Sequence, residues 1–406
     1  MRVVLTVSRR AAGACSVAVL LTAAVAMPTV AAQQVYVTNF DANTVSVIDT
    51  TTNTVTATIP VDDRTLGVAV TPDGRFAYVA NFGASSLSVV RTGSNLVSAT
   101  IPIDGSCYGV AVTPDGTAVY VTNTWPGSVA VVDTATARVT ATVQVDQQPT
   151  AVGITPNGKF AYVTNFGSDT VSVIDTATNW VAADVLLSLP GQVDNPLDDP
   201  WLLNPAALAI TPDGLSAYVT SPFYATVFIP DTTHIGVFNQ FTVYNGTPEA
   251  IAIAPNGATA YVTNLADNDF LLGFDTSTHN LVSSVLVGDD PEAVAITPDG
   301  QLAYVANAVS NNVTAIRLTA DYGVAATIPV GQTPMGAAVA EVPPACAGDC
   351  NGDGRVSVDE ILDGVSLALG AARPGTCPFF NADGAQPVTV DSFLAAVRNA
   401  LEGCPG

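Results

Sequence analysis

Seven tetrapeptides of the form Tyr-Val-(Thr/Ala)-(Asn/Ser) run through the chain, opened by Tyr36, Tyr78, Tyr120, Tyr162, Tyr218, Tyr261 and Tyr304. Their spacings are 42, 42, 42, 56, 43 and 43 residues, and a fixed period of this length marks an array of equal supersecondary units. The second unit shows the pattern. Residues 67–71 are apolar, Pro72-Asp73-Gly74 is a turn, residues 76–81 form a strand, and the alternating segments 87–91 and 96–101 follow across polar turns. Each unit therefore predicts four short antiparallel strands. Asp-Gly or Asn-Gly pairs at Asp73, Asp115, Asn157, Asp213, Asn256 and Asp299 supply residues that tolerate positive φ in tight hairpins. Four-stranded units at this period are blades of a β-propeller, and α-solenoid repeats would carry helical pairs instead.

The chain ends predict how the ring closes. The first repeat begins at a second strand, residues 35–39, with no first strand before it; the missing strand follows the last repeat as Gly336-Ala337-Ala338-Val339-Ala340. The count is then seven first and seven second strands. One blade is split between the two ends, which leaves no open sheet edge. Composition agrees, because only 12% of residues are charged while Thr, Val, Ala and Gly dominate, a mixture suited to half-buried strands.

On these repeats residues 33–342 resemble the YVTN family of bacterial and archaeal surface-protein propellers. The resemblance implies an all-β, seven-bladed propeller on a secreted or surface-located scaffold, and it implies no particular chemistry.

Residues 1–32 read as a signal peptide. Arg2, Arg9 and Arg10 precede an apolar run from Ala11 to Ala26, with small-residue signals for cleavage after Ala26 or after Ala32, the latter preferred because the first strand starts just after it. Ser8-Arg9-Arg10 leaves both general secretory and twin-arginine export open. The expected location is extracellular or cell-surface, with the periplasm as the alternative. No other stretch is long and apolar enough to span a membrane. The formal net charge is −23 and Lys159 is the one lysine, so nucleic acid and anionic membranes are poor partners and a cationic or neutral partner is favoured.

After Glu341-Val342-Pro343-Pro344 the composition changes, and residues 343–406 form a separate C-terminal module. Asp349, Asn351, Asp353, Arg355 (through its carbonyl), Ser357 and Glu360 match every ligand position of a twelve-residue EF-hand calcium loop, with Gly354 at the sharp turn. A helix over residues 361–369 follows, stopped at Gly370. A degenerate second loop keeps Asn381, Asp383 and Thr389 but has Ala385 and Ser392 where a carboxylate and the bidentate Glu belong, so calcium is expected in the first loop. Phe393, Leu394, Val397 and Leu401 predict the apolar face of a closing helix. Paired loop-helix units of this kind resemble dockerin modules, which implies docking to a cohesin-like partner; a purely structural calcium domain is the alternative. In an exported chain Cys346, Cys350, Cys377 and Cys404 predict two disulfides. Their connectivity is open, with Cys346–Cys404 and Cys350–Cys377 preferred because paired loops bring the module's ends together. Cys15 leaves with the leader, and Cys107 is left as a quiet, buried thiol.

Propeller ligands sit at the mouth of the central channel. The repeat register places Leu66, Tyr108, Thr150, Ala206, Glu249, Glu292 and Met335 there, one per blade, and these differ where the framework repeats. Glu249 and Glu292 are equivalent positions of adjacent blades, able to act as an acid-base pair or a cation site or to stand as solvated rim carboxylates. Phe40, Phe82, Trp125, Phe166, Phe223 and Tyr224 follow the Tyr strands, and the extra 14 residues near Trp201 enlarge a loop on that face. A saccharide or protein platform would look like this, as would hydrophobic plugs between blades. Against catalysis, His234 and His279 are the only histidines, and no nucleophile elbow or phosphate loop is present. The expectation is a non-enzymatic binding or scaffold protein; a lactonase- or lyase-like enzyme using Glu249 and Glu292, or a polysaccharide-associated component, is the alternative.

Overall fold

The computed structural model describes residues 32–187, 203–224, 226–231, 236–243, 246–319, 321–343, 348–349, 356–368 and 390–402. The predicted leader up to residue 31, and Cys15 with it, lies outside them.

The strands follow in chain order. β1 (Ala32–Asn39), β2 (Thr44–Asp49) and β3 (Thr54–Pro60) belong to the first blade, and β4 (Thr65–Val70), β5 (Phe76–Asn81), β6 (Ser86–Arg91) and β7 (Leu96–Pro102) form the second. β8 (Cys107–Val112), β9 (Ala118–Asn123), β10 (Ser128–Asp133) and β11 (Arg138–Gln144) form the third; β12 (Pro149–Ile154), β13 (Phe160–Asn165), β14 (Thr170–Asp175) and β15 (Trp180–Leu186) the fourth. β16 (Leu208–Ile210), β17 (Ala217–Ser221), β18 (Thr226–Asp231) and β19 (Gly236–Thr242) make the fifth, and β20 (Thr247–Ile253), β21 (Thr259–Leu265), β22 (Phe270–Asp275) and β23 (Leu281–Leu286) the sixth. The seventh holds β24 (Pro291–Ile296), β25 (Leu302–Asn307), β26 (Asn312–Arg317) and β27 (Val324–Pro329). β28 (Pro334–Val342) then pairs antiparallel with β1, Ala32 opposite Val342 and Tyr36 opposite Ala338, and completes the first blade. The first strands β28, β4, β8, β12, β16, β20 and β24 neighbour one another in a closed circle. The structure is a seven-bladed propeller closed by a split blade.

Period-two alternation explains the core. In β1, Val35 and Val37 pack toward the seventh blade while Tyr36 packs toward the second. The seven hydrophobic clusters are accordingly seven layers, each between one blade and the next. A blade buried on both faces needs apolar residues at odd and even positions alike, and the Tyr-Val pair supplies one for each side.

Each polar residue of the tetrapeptide makes its own bond. The tyrosine hydroxyl crosses to a turn of the next blade: Tyr36 donates to Asn95 Oδ1 at 3.0 Å, Tyr120 to Asn179 Oδ1 at 2.6 Å, and Tyr304, across the closure, to Asn53 Oδ1 at 2.8 Å. The threonine hydroxyl crosses at the other end, from Thr122 to the Thr150 carbonyl at 2.7 Å and from Thr220 to the Glu249 carbonyl at 2.9 Å. The asparagine amide stays within its blade, Asn39 Nδ2 donating to Thr44 and Ser46 hydroxyls at 3.0 Å each. Its recurrence in Asn81, Asn165 and Asn307 identifies it as framework.

The hairpins differ from expectation in one respect. In the Asp-Gly and Asn-Gly turns only the glycine takes positive φ, for example Gly74 at 70° and Gly300 at 68°. The acidic partner instead accepts hydrogen bonds: Asp73 Oδ1 takes them from the Thr71 hydroxyl and the Arg75 amide. It acts as an Asx-type turn former, not as a left-handed residue.

Beyond the propeller, α1 (Val358–Ala368) and α2 (Val390–Glu402) are the two predicted helices. The expected face of α2 is corrected. Leu394 and Leu401 are exposed while Ala396 and Asn399 are buried, because Ala396 closes against the Gly348 backbone, where only small residues fit. Phe393's side chain lies outside the described ones. No described helix is long and apolar enough to cross a membrane.

Candidate functional site

The first strand of every blade begins at the same end of the channel, and the side chains that open it converge there. Leu66, Tyr108, Thr150, Ala206, Glu249, Glu292 and Met335 all line one cavity of about 390 Å³. The repeat register thus brings one position from each of the seven blades to the same cavity. Phe166, Thr124 and Gln148 join the lining. Gln148 lies two residues before a rim position and holds φ of 52°; Arg64, Asn204, Asp290 and Thr333 share that place and that left-handed backbone. The sequence signal for Gln148 was this offset from Thr150.

The residue after each rim position is glycine or alanine for a steric reason. A Cβ on Gly67 would stand 2.4 Å from the Tyr108 carbonyl oxygen, one on Gly109 2.4 Å from that of Thr150, and one on Gly336 2.3 Å from that of Leu66. Neighbouring first strands thus approach backbone to backbone around the axis, which narrows the channel behind the mouth.

The two glutamates are half-buried and have no basic side chain in the cavity lining. Burial, followed by the Asp290 charge, pushes Glu249 up to about 7 against an opposing hydrogen bond from Thr247. Burial, followed by the charges of Glu249 and Asp290, does the same to Glu292, also to about 7. Tyr108 is raised to about 12 by burial and by both glutamates. Behind them Asp290 is raised by burial and by Asp269, whose two carboxylate oxygens accept from the Asp290 amide at 2.8 Å and the Ala266 amide at 2.9 Å. An acidic group near neutrality with a second carboxylate beside it can shuttle a proton or attract a cation.

The aromatic crown is gathered only in part. Phe166 lines the cavity and meets Phe223 edge-on at 6.4 Å. Phe40 lies instead under the Arg64 guanidinium at 5.9 Å, Phe82 is half-buried, and Trp125 is 63% exposed outside the lining. Trp201, its loop and the Tyr224 side chain lie outside the described residues. A groove of about 620 Å³ at the opposite end, between the third and fourth blades, is larger, but Asp115, Asn157 and Tyr120 in its wall are repeat framework. Identity that varies from blade to blade favours the mouth.

Of the calcium loop, Asp349, Ser357 and Glu360 are described; Asn351, Asp353 and Arg355 are not, nor are Asn381, Asp383, Thr389 or the cysteines Cys346, Cys350, Cys377 and Cys404. Asp349 and Glu360 are both buried. Glu360 Oε2 accepts from the Ser357 amide at 2.8 Å and hydroxyl at 2.9 Å, and the Glu360 amide donates back to the hydroxyl. This is a capping box at the start of α1, a role that fits a loop-ending Glu as well as ligation does. Among the described residues no three His, Cys, Asp or Glu side chains converge on one point. Cys107 is free and buried, its thiol pushed up to about 12, as expected of an unreactive cysteine. His279 stacks on Phe241 at 5.4 Å. His234 lies outside the described residues.

No family model matches the chain, and no curated protein does. Solved structures do. Hydrazine synthase of Kuenenia stuttgartiensis superposes with a TM-score of 0.60 at 19% identity over 67% of this chain and 88% of that one. A functionally unknown protein from Desulfotomaculum acetoxidans gives 0.62 at 17% identity over 76% and 99%. At such identities the likeness is one of fold.

Proposed function

We propose that the chain is an exported binding protein in which the propeller presents the channel mouth as its ligand site and the C-terminal segment is a calcium-ordered docking or anchoring unit. The observation that carries the reading is the mouth. Seven equivalent positions that differ in side chain from blade to blade line one cavity, while framework positions repeat around the ring. A neutral or cationic occupant is expected, a glycan or a protein segment among them, and the acidic balance of the chain disfavours polyanions.

A screen of glycans and protein segments with the full chain, run beside an Ala206→Trp variant that plugs the mouth, tests it. Ligands bound by the wild type and lost from the variant support the reading; ligands bound equally by both move the site elsewhere. For the C-terminal unit, Asn351, Asp353 and the Arg355 carbonyl would complete the set begun by Asp349 and Glu360. Calorimetric titration of the full chain with Ca²⁺ should show a site that Asp353→Ala abolishes.

A second reading rests on the two glutamates. A carboxyl near pKa 7 is protonated and ionised in comparable amounts at neutral pH, as a general acid-base requires. Any lactone- or glycan-cleaving activity of the wild type should then vanish in Glu249→Gln with Glu292→Gln.

A further inference from the structure

The chemistry of the mouth narrows the ligand further, in an inference that rests on the mouth being the binding site. We infer that it takes a small organic cation, an amine or ammonium group borne on an apolar or aromatic body. Glu249 and Glu292 come from the adjacent sixth and seventh blades and form one wall. Tyr108 opens the third blade, three blades from each glutamate, the greatest separation a ring of seven allows. Phe166 follows β13 in the fourth. The cavity thus has an anionic wall facing an aromatic one, with Leu66 and Met335 between them.

Neutral polyols and metal ions fit this arrangement less well. A saccharide would leave the negative charge that the pair carries at neutral pH without counter-charge, since among the described residues no Lys, Arg or His lines the cavity. Of the threonine hydroxyls in the lining, Thr150 already bonds Thr164 and the Ala206 carbonyl, and Thr124 donates to the Pro149 carbonyl. A calcium ion takes six or more oxygens, and two glutamates are too few. An ammonium group, by contrast, satisfies both carboxylates and gains from aromatic faces opposite. The volume of about 390 Å³ suits a molecule of small-ligand size or one basic side chain of a partner.

Titration calorimetry with benzylammonium, tetramethylammonium, benzyl alcohol and benzoate tests the inference on the unaltered full chain. Benzylammonium should bind at least about tenfold tighter than benzyl alcohol, a ratio that charge-assisted hydrogen bonds readily supply. Benzoate should not bind. Glu249→Gln with Glu292→Gln should erase the preference for the cation, and a melting curve confirms that this variant folds. Equal binding of the alcohol and the ammonium, a preference that survives the double substitution, or no ammonium binding at all would overturn the inference. The mouth as a site survives the first of these results, because a neutral ligand lost from Ala206→Trp still supports it.

Discussion

At the residue scale the ring is held by bonds that a single side chain can add or remove. Asn53, Asn95 and Asn179 sit in turns at φ of 53–56° and accept the preceding blade's tyrosine. The third blade has Ala137 in that place, at φ of 52° and packed beside the cluster that holds Tyr78. Alanine offers Tyr78 no acceptor, and its Cβ strains the left-handed backbone by about 1 kcal/mol or more. Ala137→Asn keeps the Cβ but offsets its strain through the local hydrogen bonding that lets asparagine adopt this backbone, and it supplies the bond, so an increase of roughly 1–2 kcal/mol in unfolding free energy is expected from denaturant melts. In that background Tyr78→Phe should cost about 1 kcal/mol and in the wild type almost nothing. Equal costs in both backgrounds would place the Tyr78 hydroxyl elsewhere.

At the element scale the limiting contact is that of first strand against first strand. Gly109 lies in β8 with its missing Cβ directed 2.4 Å from the Thr150 oxygen of β12, so even one methyl must push a blade outward. Gly109→Ala should lower stability by about 1–3 kcal/mol. At the equivalent place in the sixth blade, where the Ala250 methyl is only half-buried, Ala250→Gly should cost about 1 kcal/mol or less, chiefly the entropic price of glycine. Comparable losses at both sites would show that close approach is not what selects small residues here. These elements also show what the sequence made legible. Strand register, blade number, the split closure and the seven mouth positions followed from a repeat whose period is set by local pairing, so one blade calibrated all the others. The inner face of α2 did not follow. Helical periodicity marks several candidate stripes around Leu394 and Leu401, and the close approach of Gly348 to Ala396, a contact distant in sequence, chooses among them. That Trp125 stands exposed outside the cavity lining was not legible for a related reason: register fixes strands, whereas it does not fix a side chain in a loop beyond them.

At the scale of the whole molecule two sets of carboxyls act against each other as pH changes. Asp115, Asp213 and Asp275 are held below the ordinary range by hydrogen bonds within their turns, Asp275 at about 2. Their contribution is present above the ordinary carboxylate range and fades as pH falls below it. Glu249 and Glu292 run the other way. Folded, they keep protons up to about pH 7 that the unfolded chain releases near 4.5, so stability is greatest below 4.5 on their account and falls as pH rises through 7. Asp290, itself beside Asp269, deepens the repulsion once the glutamates ionise. The ring therefore carries an unfavourable concentration of negative charge at neutral pH on one side of its mouth, which a bound cation would neutralise. The unfolding free energy of the unliganded protein, and with it the melting temperature, should fall between pH 5 and pH 8, by on the order of 3 kcal/mol for either carboxyl taken alone. Glu249→Gln with Glu292→Gln should flatten the profile over that window. Parallel profiles for wild type and variant would show that the mouth carboxyls do not set the slope, and the charge would then have to be sought elsewhere on the ring.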